Sequence, residues 1–454
     1  MNDSYYLERV QYLQEFLEKT RDRSIVNDPK NLLGLQLDAA KFETELWDVM
    51  RQQRDVIKEL RAKPKLTEQE KKDLARTLEG LESHQQLIRI LRTIFDGVAW
   101  RTLGYNRFFL TSAARSTSAG AFTLDLDSSK SLFSWAYAIQ EAHGGAVLIN
   151  DLTRFLRIGD LTETYGDTAV IHELKKSGRK ILNFKTLQMR KRSKVTDQTR
   201  KMLELQKVAF SGKITLPDGY VLEQRYTRVD LQTHFQEIEK QLKISEIQVV
   251  SRIKTEPFIQ VAMMNLGKAY DRPEKMKKYL KTFRYTGWKT KWQFSHTNFD
   301  NFFYDEMGNF LRNQAPYSIF PFSDEICMKL MSGQFLIEAT TNFELLADEL
   351  RKRRWKVTLT LPNIPDDHEE KMRHIFDNRE ELFSNIGQDD GFIKIERGPF
   401  SMSIPQNWIA MMSMEFITFD TLCNLLEEIY QVARRVQAPM NIHPEFSNAA
   451  IVWN

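Results

Sequence analysis

The chain has 454 residues, 42% of them hydrophobic and 11% aromatic, which is enough for more than one folded unit with its own core. Its 65 basic and 61 acidic side chains leave a formal net charge of +4, so the distribution of charge along the chain is more informative than the total. Two cysteines, Cys327 and Cys423, exclude a disulfide framework and a cysteine-built zinc site, and no apolar run approaches the roughly 20 residues that a membrane-spanning helix needs.

The opening segment, MNDSYYLERVQYLQEF, mixes charge into an amphipathic pattern and lacks the apolar stretch of a signal peptide. A cytoplasmic protein with no membrane partner is therefore expected. From Tyr5 to about Leu103 apolar residues recur three and four apart, the period of a helix. Pro64 stops one long helix, and Thr67 with Glu70 forms a capping box for the next. Each arm runs about 30 residues, or roughly 45 Å. Residues 1–110 are read as a helical hairpin domain, suited to self-association as a homodimer, to docking another protein, or to packing as a lid on the next domain.

The small, polar stretch TSAARSTSAG, residues 111–120, marks a boundary. Beyond it SLFSWAYAIQEA and VLINDLTRFL read as helices flanking Gly144 and Gly145, followed by two short strands and a basic helix to about Phe210. Residues 111–212 form the second expected domain. Residues 213–454 form the third, of mixed α+β character. It begins with a hairpin in LPDGYVLEQRYTRV turning at Asp218-Gly219, has strands in WKVTLTL and GFIKIER, and has helices in DDHEEKMRHIFDNREELF and FDTLCNLLEEIYQVARRV. The fold class expected is multidomain α+β.

The stretch RIGDLTETYGDTAVIHELKKSGRK carries the chemistry. Gly166-Asp167 suits a two-residue hairpin turn. In that register Tyr165 pairs with Thr168, and counting outward brings Asp160 opposite Glu173. Paired residues share a face with Cβ atoms about 5 Å apart, where two carboxylates repel, so a positive group belongs between them. Lys175 projects from that same face, while Leu161, Val170 and Leu174 fall on the other. Two carboxylates with room for water and phosphate suit Mg²⁺, with Mn²⁺ as a substitute, and such an ion activates water toward a phosphodiester. The plain alternative is an edge hairpin with a surface Glu173–Lys175 ion pair. His172-Glu173 begins like a zinc-protease HExxH motif, but Lys176 stands where its second histidine belongs, and His172 points to the apolar face as a core residue.

Gly159-Asp160 followed by a strand bearing Glu173-Leu174-Lys175 resembles the PD-(D/E)XK, or restriction-endonuclease-like, nucleases. The order of elements is similar too: a helix, an antiparallel hairpin, a turn at Ser177-Gly178, the strand KILNFKTLQ and a further helix. The resemblance covers about 95 residues, Ser116 to Phe210, and departs from the family where Gly159 replaces its frequent proline. It implies a restriction-endonuclease-like α/β core with Asp160, Glu173 and Lys175 as catalytic residues. It further implies Mg²⁺ held by Asp160 and Glu173, with Glu141 as a further ligand from the preceding helix. By analogy of fold, it implies DNA endonuclease activity in prokaryotic defence or DNA processing, with a defence-system protein as a candidate partner. The alternative is a catalytically silent nucleic-acid-binding or scaffold subunit.

Basic residues crowd the same region. Lys176, Arg179, Lys180, Lys185, Arg190, Lys191, Arg192 and Lys194 offer a DNA-backbone-binding surface, or else a solvated helix face. A second run, KMKKYLKTFRYTGWKTKW, interleaves cations with Tyr279, Phe283, Tyr285, Trp288 and Trp292. Such rings stack on unpaired bases or form a core with the lysines outside; the core reading is favoured.

Overall fold

The computed structural model describes residues 3–107, 110, 126–154, 156, 159–165, 168–172, 213–215, 221–288, 290, 293–298, 315–359, 393–435, 440–447 and 449–453. These residues form a mixed helix-and-sheet protein of two compact units. The first unit comprises residues 1–212 with 316–319 and 323–332, so the helical segment of residues 1–110 and the elements of 111–212 share one unit; the second comprises 213–315, 320–322 and 333–454.

The first unit opens with α1 (Asp3–Arg21), the short α2 (Arg23–Val26), α3 (Pro29–Arg61) and α4 (Glu68–Thr102). Each boundary has a local cause. Asp22 caps α2, Asp28 caps α3 with Pro29 at its first position, and Thr67 and Glu70 close a reciprocal capping box on α4. Three hydrogen bonds to the Glu70 carboxylate, first from Lys63 and then from Thr67, hold its pKa down at about 2. The apolar stripes of these helices meet in a core around Leu17, Leu32, Leu46, Leu91, Ile94 and Trp100, all essentially inaccessible.

Next come α5 (Leu126–His143) and three antiparallel strands in the order β1 (Ala146–Ile149), β2 (Leu161–Tyr165) and β3 (Thr168–His172). The helix expected in VLINDLTRFL is replaced by β1 and one 3-10 turn, Asn150–Leu152. Four consecutive apolar residues, three of them buried, need no helical period in a strand. On β1, Gln36 of α3 takes the place of a neighbouring strand: Nε2 donates to the Val147 carbonyl (2.8 Å) and Oε1 accepts from the Ile149 N–H (2.7 Å).

In the second unit β4 (Lys213–Thr215) and β5 (Val221–Val229) pair as the expected hairpin, and β13 (Met440–Phe446) joins β5 in parallel; the turn at Asp218-Gly219 lies outside the described residues. After α6 (Phe235–Gln248) an antiparallel sheet runs in the order β6 (Val250–Glu256), β7 (Ile259–Asn265), β9 (Phe335–Asn342) and β8 (Gln293–Thr297). The expected strands in WKVTLTL and GFIKIER are β10 (Lys356–Leu359) and β11 (Ile393–Arg397); they pair with each other, and β12 (Phe400–Ser403) follows. Phe419–Arg435 is helical as expected, and DDHEEKMRHIFDNREELF lies outside the described residues. Phe235, Phe320, Phe322, Phe416 and Trp453 form one aromatic cluster with centroids 5.0 to 6.4 Å apart.

Among the described residues no helix is long and apolar enough to cross a membrane. Both cysteines are reduced and buried. Burial pushes the Cys327 thiol up to about 11 and the Cys423 thiol up to about 12. Native protein treated with a disulfide-exchange reagent at pH 8 is therefore expected to release essentially no chromophore, and to release two equivalents after denaturation. Fast labelling of either thiol in the native state would show that its core is not closed.

Candidate active site

The β2–β3 hairpin adopts the expected register, from Tyr165 opposite Thr168 to Leu161 opposite His172. Asp160 sits one residue beyond the end of β2. Its N–H donates to the His172 carbonyl (2.8 Å), and its own carbonyl accepts from the Asn150 N–H (3.1 Å). The aspartate backbone is thereby held between the ends of β1 and β3. Asn150, itself 1% exposed, locks the approach: Nδ2 donates to the Gly159 carbonyl (3.2 Å), and Oδ1 accepts from Thr162 Oγ1 (2.8 Å).

Gly159 has φ +72°, the left-handed region that a proline ring, fixed near −65°, cannot enter. A Cβ there would collide with Ile171 Cγ2 and come within 2.8 Å of the His172 carbonyl oxygen. Glycine at this place is thus a requirement of the hairpin. Gly159→Ala is expected to lose about 1–3 kcal/mol from backbone strain alone. Thermal unfolding checks this, and an unchanged midpoint would refute it.

A second carboxylate lies close by. Asp151, on the 3-10 turn after β1, has its pKa raised to about 6, first by burial and then by the negative charge of Asp160; Arg92 opposes the shift and Glu43 adds to it. Glu43 is fully buried, accepting from Arg92 Nη2 (2.5 Å) and Trp47 Nε1 (3.0 Å). Among the described residues, Asp151 therefore feels the negative charge of Asp160 and Glu43, which the Arg92 guanidinium partly offsets.

The opposite face of the hairpin is not the apolar surface expected from Leu161, Val170 and Leu174. Glu163, opposite Val170, is 1% exposed. His143, at the end of α5, donates through Nδ1 to Glu163 Oε1 (2.8 Å), and His172 donates through Nε2 to Oε2 (2.9 Å). His172 is a buried residue, as expected, but it is paired with a buried acid. The same alternation that placed Leu161 and Val170 on this face also puts Glu163 there, and that was the signal for it. Nothing local marks Asp151 or Glu43, which the tertiary fold brings in from other segments.

Of the expected site residues, Asp160 and Glu141 are described; Glu173, Lys175, Lys176, Arg179, Lys180, Lys185, Arg190, Lys191, Arg192 and Lys194 lie outside the described residues. Glu141 is exposed on α5, away from the buried stripe of Leu132, Ala136 and Ile139, and borders a surface pocket with Ser24, Asp28 and Lys30. It does not gather with Asp151 and Asp160: among the described residues no three His, Cys, Asp or Glu side chains form a metal-holding group. Asp151 is the nearer candidate. Its carboxylate, which feels the charge of Asp160, supplies oxygen donors of the kind Mg²⁺ accepts, since the ion keeps much of its water and takes one or two protein carboxylates. Comparison with protein-family models, with curated proteins and with solved structures gave no match.

Proposed function

We propose that the chain is a divalent-metal-dependent nuclease that hydrolyses phosphodiester bonds in DNA, on a restriction-endonuclease-like core that includes α5, β1, β2 and β3. The observation that carries this reading is the position of Asp160: its backbone is bonded to Asn150 after β1 and to His172 at the end of β3, and its charge acts on Asp151.

Asp160 and Glu173 are the proposed ligands of Mg²⁺, with Asp151 in place of Glu141 as the additional carboxylate. When bound, the ion supplies positive charge to the scissile phosphate and acidifies the attacking water. The chain's own residues do the rest. Asn150 and Gly159 fix the Asp160 backbone, so its carboxylate needs little reorganisation. Arg92 offsets part of the negative charge around Asp151. Lys175 orients the water and offsets charge on the phosphate, and the basic residues Lys176 to Lys194 hold the DNA backbone. A setting in prokaryotic defence or DNA processing follows from the resemblance alone.

The test is incubation of supercoiled plasmid with Mg²⁺ and wild-type protein, Asp160→Ala, Lys175→Ala, or wild type with EDTA. Nicking by wild type alone supports the reading. Intact plasmid throughout, with wild type and variants shifting DNA equally in a gel, would replace it with the catalytically silent, nucleic-acid-binding reading.

A further inference from the structure

The basic and aromatic run of residues 275–292 divides in two. Its first half is α7 (Met276–Phe283), whose Phe283 is buried with Val249, Ala262, Met264 and Leu266, while Met276, Tyr279 and Leu280 pack against that cluster. The core reading holds for these rings. The second half leaves the core. The chain after α7 crosses toward β6, where the Tyr285 carbonyl accepts from Arg252 Nη1 (2.6 Å) and Gln260 Nε2 (2.8 Å). Gly287, at φ +76°, turns the chain beside the Tyr285 ring.

This arrangement sets two rings beside two cations. The Arg252 guanidinium stands 5.3 Å from the centroid of Tyr285, which is 64% exposed, and the Lys254 ammonium stands 5.6 Å from the centroid of Trp288, which is partly exposed. Arg252 and Lys254 alternate with the less exposed Ser251 and Ile253, so both project from one side of β6, which is an edge strand among the described strands. Neither forms an ion pair among the described residues. Between residues 275 and 288 five further cations stand with no acid. Of these, Arg284 acts on the half-buried Glu338, and the lysines of α7 are exposed.

An exposed tyrosine is hydrophobic area left in water, and a core function gives no reason for it here, because the core beneath is filled by Phe283 and Tyr279. Rings flanked by cations on an open strand edge match a strand of unpaired bases, which offers π-faces at intervals with a phosphate beside each one. An acidic protein surface would use the charges and leave the rings in water; duplex DNA keeps its bases stacked away from them. We infer that this face of the second unit, built from Arg252, Lys254, Tyr285 and Trp288, binds single-stranded nucleic acid, with bases stacked on the two rings and phosphates against the cations. This holds whether or not the chain cleaves DNA.

The test measures binding of fluorescein-labelled oligo(dT) and oligo(U) by anisotropy, in EDTA and on an Asp160→Ala background, so hydrolysis plays no part. Tyr285→Ala with Trp288→Ala is expected to weaken binding roughly tenfold or more, since each stacked base contributes measurably. Trp288→Phe, which keeps a ring, is expected to restore most of a Trp288→Ala loss. Arg252→Ala with Lys254→Ala is expected to lower the salt dependence by about one to two phosphate contacts. Matched melting curves establish that the variants fold. The tighter of the two oligonucleotides identifies the strand. Unchanged affinity and salt slope in both double variants would overturn the inference. So would equal binding of a duplex of the same sequence, or polyglutamate binding with the same sensitivity to the variants. None of these failures bears on the plasmid assay, which reports on Asp160.

Discussion

Asp160→Ala is expected to lower Mg²⁺-dependent plasmid cleavage by well over 100-fold. Loss of groups that merely orient metal ligands costs about 10- to 100-fold in metal affinity or activity, and Asp160 is proposed to contact the ion directly. The companion variant, Asp160→Asn, separates chemistry from stability. It keeps the shape of the side chain, and the backbone bonds to Asn150 and His172 do not depend on the carboxylate, but it removes the charge that helps hold Asp151 at about 6. An inactive Asp160→Asn protein with a higher melting temperature at pH 7.5 is expected, as where function holds like charges together. The pH dependence follows from the direction of the shift. The folded-state pKa of Asp151 lies above its ordinary value of 3.8, so the fold favours the protonated form. That favourable contribution is present below about pH 4 and is lost as pH rises through 6. The advantage of Asp160→Asn therefore shrinks toward pH 4, where Asp151 is protonated and no longer repels its neighbour. Calorimetric scans between pH 4 and 8 check this. An advantage independent of pH would mean that charge repulsion is not its source.

Arg92→Ala is expected to be the most destabilising single change in the first unit. Glu43 is fully buried, and its carboxylate is matched by Arg92 at 2.5 Å and by the Trp47 indole at 3.0 Å. Removing the guanidinium leaves a buried acid with one neutral donor, and breaking such a pair typically costs about 3–5 kcal/mol. For a unit of this size that is a fall of roughly 10 °C in melting temperature. Replacing both partners with leucine is expected to recover much of the loss, because no charge is then stranded. An Arg92→Ala protein that melts like wild type would show that Glu43 is neutral or hydrated in the fold. Arg92 also lowers the pKa of Asp151, so surviving Arg92→Ala protein is expected to need more alkaline conditions for activity.

The resemblance to restriction-like nucleases rests on a short span, much of which lies outside the described residues. The departure at Gly159 has a physical account: the left-handed backbone that seats Asp160 beside His172 excludes the family's proline. The backbone bonds hold Asp160 against His172 and Asn150, while Glu173, the residue the hairpin arithmetic sets opposite it, lies outside the described residues. The helical ligand suggested by analogy, Glu141, falls on the exposed side of α5, and the second carboxylate near Asp160 comes instead from the turn after β1.

What the sequence determined by itself was local. The helix boundary at Thr67–Glu70 is legible because capping needs only neighbouring residues. The hairpin register is legible because a two-residue turn fixes which residues face one another. The strands at 356–359 and 393–397 are legible because side chains alternate along a strand. What only the tertiary structure decided was which distant residues share a place. Asp151 feels the charges of Asp160, Glu43 and Arg92, which come from three other segments, and Glu163 lies between histidines at 143 and 172. Residues 316–319 and 323–332 join the first unit while 320–322 belong to the second. In one basic run Phe283 enters the core while Tyr285 stays outside, because the turn beyond α7 carries the chain away from it. Periodicity and turn chemistry act over a few residues, whereas burial and Coulomb interaction depend on distance in space, which composition and spacing do not encode.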